Sequence, residues 1–245
     1  MSKNVVELNA DRDGQQDTEA EGSDGKPAIL RAVELIISHP SRIKAAAHSL
    51  HGKYHCRHGE KLDADDIRDM VARRIIHKYS YLAACSGGAT ALTGVVPGLG
   101  TIISTFGGAT ADTAMCVKFQ VEMTMALATL YGHDVETEEA QHMCFIVAGV
   151  GLTSTAAKGG AKKITAKTFS RMVNQRLSGA SVATVKALFK TVGVTFTKKA
   201  VVKAIPFGVG AMVGFSTNKG LTWYVGQKTH DFFKTNRAEA PAAPE

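Results

Sequence analysis

The chain has 245 residues, 44% of them hydrophobic, and a formal net charge of +7. That length allows one or two domains, and one large helical domain is the simpler choice. Four cysteines with no CxxC pair argue against a disulfide framework and read as small buried hydrophobes in a reducing compartment.

Residues 1–27 carry seven acids against three bases, with Gly14, Gly22, Gly25 and Pro27, and read as a disordered acidic tail. No apolar core of a signal peptide is visible there, so a cytosolic location is expected. Ile29, Leu30, Val33, Leu35, Ile36 and Ile37 start a first helix, which Pro40 ends or kinks. Ser41 then caps a second segment towards His58. Within it, His48, His51, His55 and His58 are spaced 3, 4 and 3, which puts all four on one helical face. Neutral imidazoles in that pattern can bind zinc, copper or nickel, with Cys56 and Glu60 nearby. The competing readings are a solvated basic face, with Lys53 and Arg57 interleaved, and a pH-responsive surface. Gly52 and Gly59 weaken the helix that any of these needs.

Asp63, Asp65 and Asp66 set negative charge at the start of a third helix, whose apolar side is Ile67, Met70, Val71, Ile75 and Ile76. Residues 79–111 then hold no charged side chain, and Gly94, Pro97, Gly98 and Gly100 punctuate the run. A spanning helix needs about 20 consecutive apolar residues. The glycines cut this run into short pieces, and the later runs 141–157 and 204–218 are shorter still. Buried hairpins or interfacial segments fit better. Residues 101–131 are expected to form one long apolar helix ending at Tyr131–Gly132. Asp112 is the first charge after the run; a structural hydrogen bond, to a helix end or to Asn218, is the expected role. Thr137 with Glu138 and Glu139 begins the next helix, which Gly159–Gly160 breaks.

From Lys158 to Lys203 there are eleven basic residues and no acid: Lys158, Lys162, Lys163, Lys167, Arg171, Arg176, Lys186, Lys190, Lys198, Lys199 and Lys203. They fall on two amphipathic helices, near 161–178 and 182–203, although 192–196 is locally ambiguous with a strand. Such a block attracts a polyanion. Sparse aromatics and the lack of a DNA or RNA motif favour anionic lipid over specific nucleic acid. A last helix, 207–235, follows Pro206 and Gly208 and ends among Trp223, Tyr224, Phe232 and Phe233. Gly94 with Gly98, and Gly210 with Gly214, each fit a close contact between small residues. The first glycine block lacks the Lys-Ser or Lys-Thr of a phosphate loop, and no nucleophile elbow is present.

Two blocks resemble the EcsC protein family. The first is Thr93–Gly94 through Pro97–Gly98–Leu99–Gly100, with Ala111–Asp112, Gln120, Leu127 and Tyr131–Gly132. The second is Ile205–Pro206, Gly208, Gly210–Ala211, Gly214, Asn218, Thr222 and Phe232. The resemblance covers roughly residues 65 to 235. It implies no catalytic residues. The family takes its name from a protein encoded beside an ABC-type exporter, which implies an accessory part in membrane transport or secretion.

The expectation is an all-α domain over 28–236, flanked by disordered tails 1–27 and 237–245, with its core in the glycine-punctuated hairpins around Pro97 and Pro206. The expected function is non-enzymatic: peripheral docking on the cytoplasmic face of a membrane, to an anionic lipid surface or an integral membrane protein, with no cofactor. The alternatives are a soluble scaffold and a metal-dependent enzyme built on the histidine face. Opposite charges also suggest that the acidic tail masks the basic helices.

Overall fold

The computed structural model describes residues 25–85, 97–156, 164–178, 182–203 and 209–238. Nine helices and no strand occur among these residues. They are α1 (Ala28–Ile36), α2 (Pro40–His58), α3 (Ala64–Cys85), α4 (Leu99–Phe106), α5 (Gly108–Leu130), α6 (Glu138–Ala156), α7 (Ala166–Leu177), α8 (Val182–Lys203) and α9 (Val209–Thr235). The all-α expectation holds, and the ambiguous 192–196 stretch is helical inside α8.

Local chemistry sets the boundaries. Pro40 does not kink α1; it occupies the first turn of α2, where a missing N–H costs nothing. His39, not Ser41, caps that helix, its ring accepting from the Ser41 amide. α2 continues unbroken through Gly52. The Asp63 carboxylate accepts from the Asp66 amide at 2.7 Å at the start of α3, and Thr165 caps α7 through the Thr168 amide. The expected single helix over 101–131 is two helices. Gly107 separates them with φ +82°, a left-handed backbone that L side chains resist and that stops the hydrogen-bond ladder. The predicted end at Tyr131–Gly132 stands, with Gly132 at φ +92°.

Among the described residues the core is centred on α5; the expected hairpin around Pro206 lies outside them. Every residue from Thr113 to Thr129 is buried, and α1, α2, α3, α4, α6, α8 and α9 all pack on this one helix. Such a helix must be apolar all round. Its exceptions need partners. Lys118 and Glu122, one turn apart, pair at 2.5 Å with only 7% and 5% of their side chains exposed. Glu122 also accepts from the Ser38 amide at 2.9 Å, which pins the α1–α2 link to the core. Gln120 donates to Thr222 on α9 at 3.2 Å. Burial first, and then the Glu122 charge, push the Tyr79 phenol well above its ordinary range.

α3 and α9 run antiparallel. Asp69 meets His230 and Lys234, Ile76 meets Gly226, and Tyr81 meets Lys219. α5 runs parallel to α9, with Gln120 on Thr222 and Tyr131 on His230. The end of α3 and the starts of α5 and α9 therefore lie at one end of the bundle. The segments 86–96 and 204–208, which carry Gly94, Pro206 and Gly208, lie outside the described residues.

The ordered body is slightly longer than expected. Pro27 caps α1, and Lys26 pairs with Glu34 at 3.2 Å. Ala238 donates its amide to the Tyr131 carbonyl at 3.2 Å. Residues 1–24 and 239–245 of the two expected tails lie outside the described residues. Of the cysteines, Cys116 and Cys144 are buried, whereas Cys56 and Cys85 are exposed thiols rather than core hydrophobes. Both sit on helix faces turned outward, which sequence context alone does not reveal for Cys85.

Candidate functional site

The described parts of the charge-free run are only partly core, with Tyr81, Cys85, Gly100, Thr101, Ser104 and Thr105 exposed. Ala83, Ala84, Leu99, Ile102, Ala111 and Ala114 are buried. Among the described residues, no helix is long and apolar enough to cross a membrane.

What faces water at the α3–α9 seam is different. Tyr81 and Trp223 are 40% and 52% exposed, although both are large and apolar. Lys219 sits 3.8 Å over the Tyr81 ring, a cation–π contact, and lies one turn before Trp223 on α9. His77, one turn earlier on α3, packs against the Tyr81 ring itself, with ring centroids 4.6 Å apart. The result is a strip of His77, Tyr81, Lys219 and Trp223 along the α3–α9 seam.

Basic residues extend this surface. Tyr224, next to Trp223, accepts from the Ile164 amide at 3.0 Å and holds the start of α7 against α9. α7 turns Phe169 and Val173 into the core and leaves Lys167, Arg171 and Arg176 exposed. On α8, Lys190 is exposed and Lys186 half-buried. Lys158, Lys162 and Lys163 lie outside the described residues, as do the side chains of Lys198, Lys199, Lys203, Gly210 and Gly214. Pro97 and Gly98 form the turn into α4 and Gly100 stands in its first turn; Gly98 has φ +82°, and a Cβ there would stand 3.4 Å from the Leu35 carbonyl oxygen. Asp112 and Asn218 are both half-buried.

The histidines do not make a metal centre. They share one side of α2, but among the described residues no three His, Cys, Asp or Glu side chains converge to hold an ion. Geometry explains this. His51 and His55 stand 6.4 Å apart, ring to ring, and His58 packs on Tyr54. A single helical face spreads four imidazoles along its length and needs a second element to close a shell, and none here supplies a ligand.

His48 and His51 instead line a cleft of about 590 Å³ at the far end of the bundle, with Arg68, Tyr131 and Arg237. Sequence reasoning missed the last three, which come from α3, the end of α5 and the strap after α9. Arg68 and Arg237 both reach Asp65, and their guanidinium carbons lie 6.0 and 5.7 Å from the Tyr131 ring centroid. Beside them Asp69 accepts from Lys234 at 2.5 Å and from His230 at 3.3 Å. Burial, and then Asp69, raise the Tyr131 phenol above its usual range.

Burial raises the Asp69 carboxyl, but Lys234 and His230 outweigh it and hold the group below its ordinary 3.8. A depressed carboxyl pKa contributes stability above the unfolded value and loses it as pH falls through the folded value. The wild-type urea midpoint should therefore fall further between about pH 5 and about pH 3 than that of Asp69→Asn. Equal falls would remove Asp69 from the acid response.

The sequence profile of the EcsC protein family matches residues 53–237, about three quarters of the chain. The chain belongs to the EcsC protein family. The match takes in α3 to α9, His55, His58 and Arg237, and leaves His48 and His51 before it. Neither the curated proteins nor the solved structures searched gave a match.

Proposed function

We propose that this EcsC-family protein is a non-catalytic peripheral protein of the cytoplasmic membrane face, serving a transport or secretion system as an accessory. One observation carries the reading. Exposed Tyr81 and Trp223, joined by Lys219, form an aromatic and cationic strip on the α3–α9 seam towards the C-terminal end of α3. Aromatic rings with an apolar body and a polar edge favour the headgroup level of a bilayer. Lys167 and Arg171 near that end add electrostatic attraction of about 1 kcal/mol per cation at an anionic surface. The core burial of α3, α4 and α5 argues against insertion of whole helices, so the contact is superficial.

Trp223 is the single tryptophan of the chain, so its emission reports on this surface alone. Phosphatidylserine vesicles should shift that emission to the blue and carry the protein upward in flotation, and salt should weaken both effects. Burying a large apolar side chain is worth about 1.5–3 kcal/mol, so Tyr81→Ser should lower vesicle affinity about tenfold or more. Unshifted emission with no flotation, or equal binding to neutral vesicles, would exclude this reading.

A further inference from the structure

We infer that the cleft between α2, the start of α3 and the strap after α9 is a binding site for a small soluble phosphomonoester. Among the described residues the lining contains His48, His51, Arg68 and Arg237, and no Asp or Glu. Arg68 and Arg237 share one carboxylate, Asp65, which stands outside the lining. Two guanidiniums against one acid leave positive charge over.

The imidazole of His51 records the same excess. Its basicity is lowered by burial and then by Arg68, His55 and His48. An anion placed among these groups would relieve that repulsion. Planar guanidinium forks match the oxygens of a phosphate in pairs, and the neighbouring imidazoles add single donors. A cavity of about 590 Å³ exceeds what a bare anion fills. Ala47 and Leu130 in its wall suit a short organic group carried on the phosphate. The volume falls within the range of small-molecule sites, roughly 300–1,000 Å³.

The position argues for a soluble ligand rather than a lipid headgroup. Trp223 stands near the middle of α9, and Lys234 lies in its last turn, about 16 Å further along a helix that rises 1.5 Å per residue, with Arg237 just beyond. The cleft shares no residue with the Tyr81–Trp223 strip, so a headgroup held at that strip is not in this cleft. The inference does not depend on the membrane reading.

The strap is preorganised without any ligand. His133 bonds the Asn236 carbonyl at 2.8 Å and Ala238 bonds Tyr131 at 3.2 Å, so Arg237 is held by its neighbours' backbone. Arg237→Gln should therefore keep the fold, which an unchanged melting temperature checks.

Titration calorimetry of the full chain with glycerol 3-phosphate should give saturable binding that sodium chloride of equal ionic strength does not reproduce. Arg237→Gln and Arg68→Gln should each weaken it about tenfold or more, as the loss of a charged hydrogen bond does. Trp223→Ser should leave it unchanged. Binding confined to phosphatidic acid vesicles, yet lost in both arginine variants, would retain the phosphate site and overturn the soluble source. No saturable binding to either probe, or wild-type affinity in both arginine variants, would overturn the site itself.

Discussion

Replacing Glu122 alone by Leu is expected to lower the stability of the folded chain by about 3–5 kcal/mol, because it strands the Lys118 ammonium inside the core. Lys118→Met alone should cost a similar amount for the converse reason. The pair itself is another matter. Two charges taken out of water lose hydration of the same order as their mutual attraction, so a well-packed apolar replacement of both can be close to neutral. The double variant Lys118→Met with Glu122→Leu should recover most of the loss. A remainder of about 1–3 kcal/mol is expected, because the Ser38 amide also gives its hydrogen bond to Glu122 and would be left without it. Urea unfolding of the two single variants and the double variant measures the cycle. A double variant no more stable than either single one would show that the pair is not the coupled unit described here.

The second large effect concerns glycines on α9. Gly226 lies between α3 and α5. A Cβ there would stand 2.8 Å from Ile76 Cγ2 and 2.9 Å from Met123 Sδ. Gly151 on α6 is tighter, with Val225 Cγ1 2.6 Å from the same hypothetical atom. Gly220, also on α9, has nothing within 4 Å. In a helix interior Ala is favoured over Gly by roughly 0.5–1 kcal/mol, while overpacking a core costs about 1–3 kcal/mol. Gly220→Ala should therefore raise the melting temperature, and Gly226→Ala and Gly151→Ala should lower it. The packing term wins at the last two because branched Ile76 and Val225 cannot swing aside without moving their helices. Three variants shifted in the same direction would contradict the close helix approach at Gly226 and Gly151.

Much of the architecture was legible because helical signals are local. The aspartates before α3, Thr137 before α6 and the break after Leu177 each act within one turn, so chain order exposes them. The error at Gly107 shows the limit of that logic. A glycine inside an apolar stretch is compatible with a continuous helix, and only the direction of the following chain decides whether it turns. The centring of the described core on α5 was not legible for a related reason. Small residues and low charge describe both a buried helix and a glycine hairpin, so composition pointed to Pro97 and Pro206, while among the described residues packing is centred on α5. The i, i+4 spacing of Lys118 and Glu122 within that apolar helix was a readable sign of a buried pair.

The candidate surfaces were legible only in part. The basic residues of α7 repeat every four positions, and their outward face follows from the periodicity. Trp223 gave no sign of exposure, because it stands among Tyr224, Phe232 and Phe233, of which the two phenylalanines are buried. The histidine spacing was legible, but the arginines that line one cleft with His48 and His51 were not, because they come from α3 and from the strap after α9.

The order of residues alone determined that this chain is helical, that an acid-free basic block fills about one fifth of its length, and that it carries the EcsC pattern. These are properties of near neighbours, fixed by backbone hydrogen bonding over one turn and by simple counting. Tertiary packing alone decided which apolar residues meet water and which cations meet each other. Tyr81 and Lys219, or Arg68 and Arg237, are separated by well over a hundred residues, and only the antiparallel pairing of α3 with α9 brings each pair to one place.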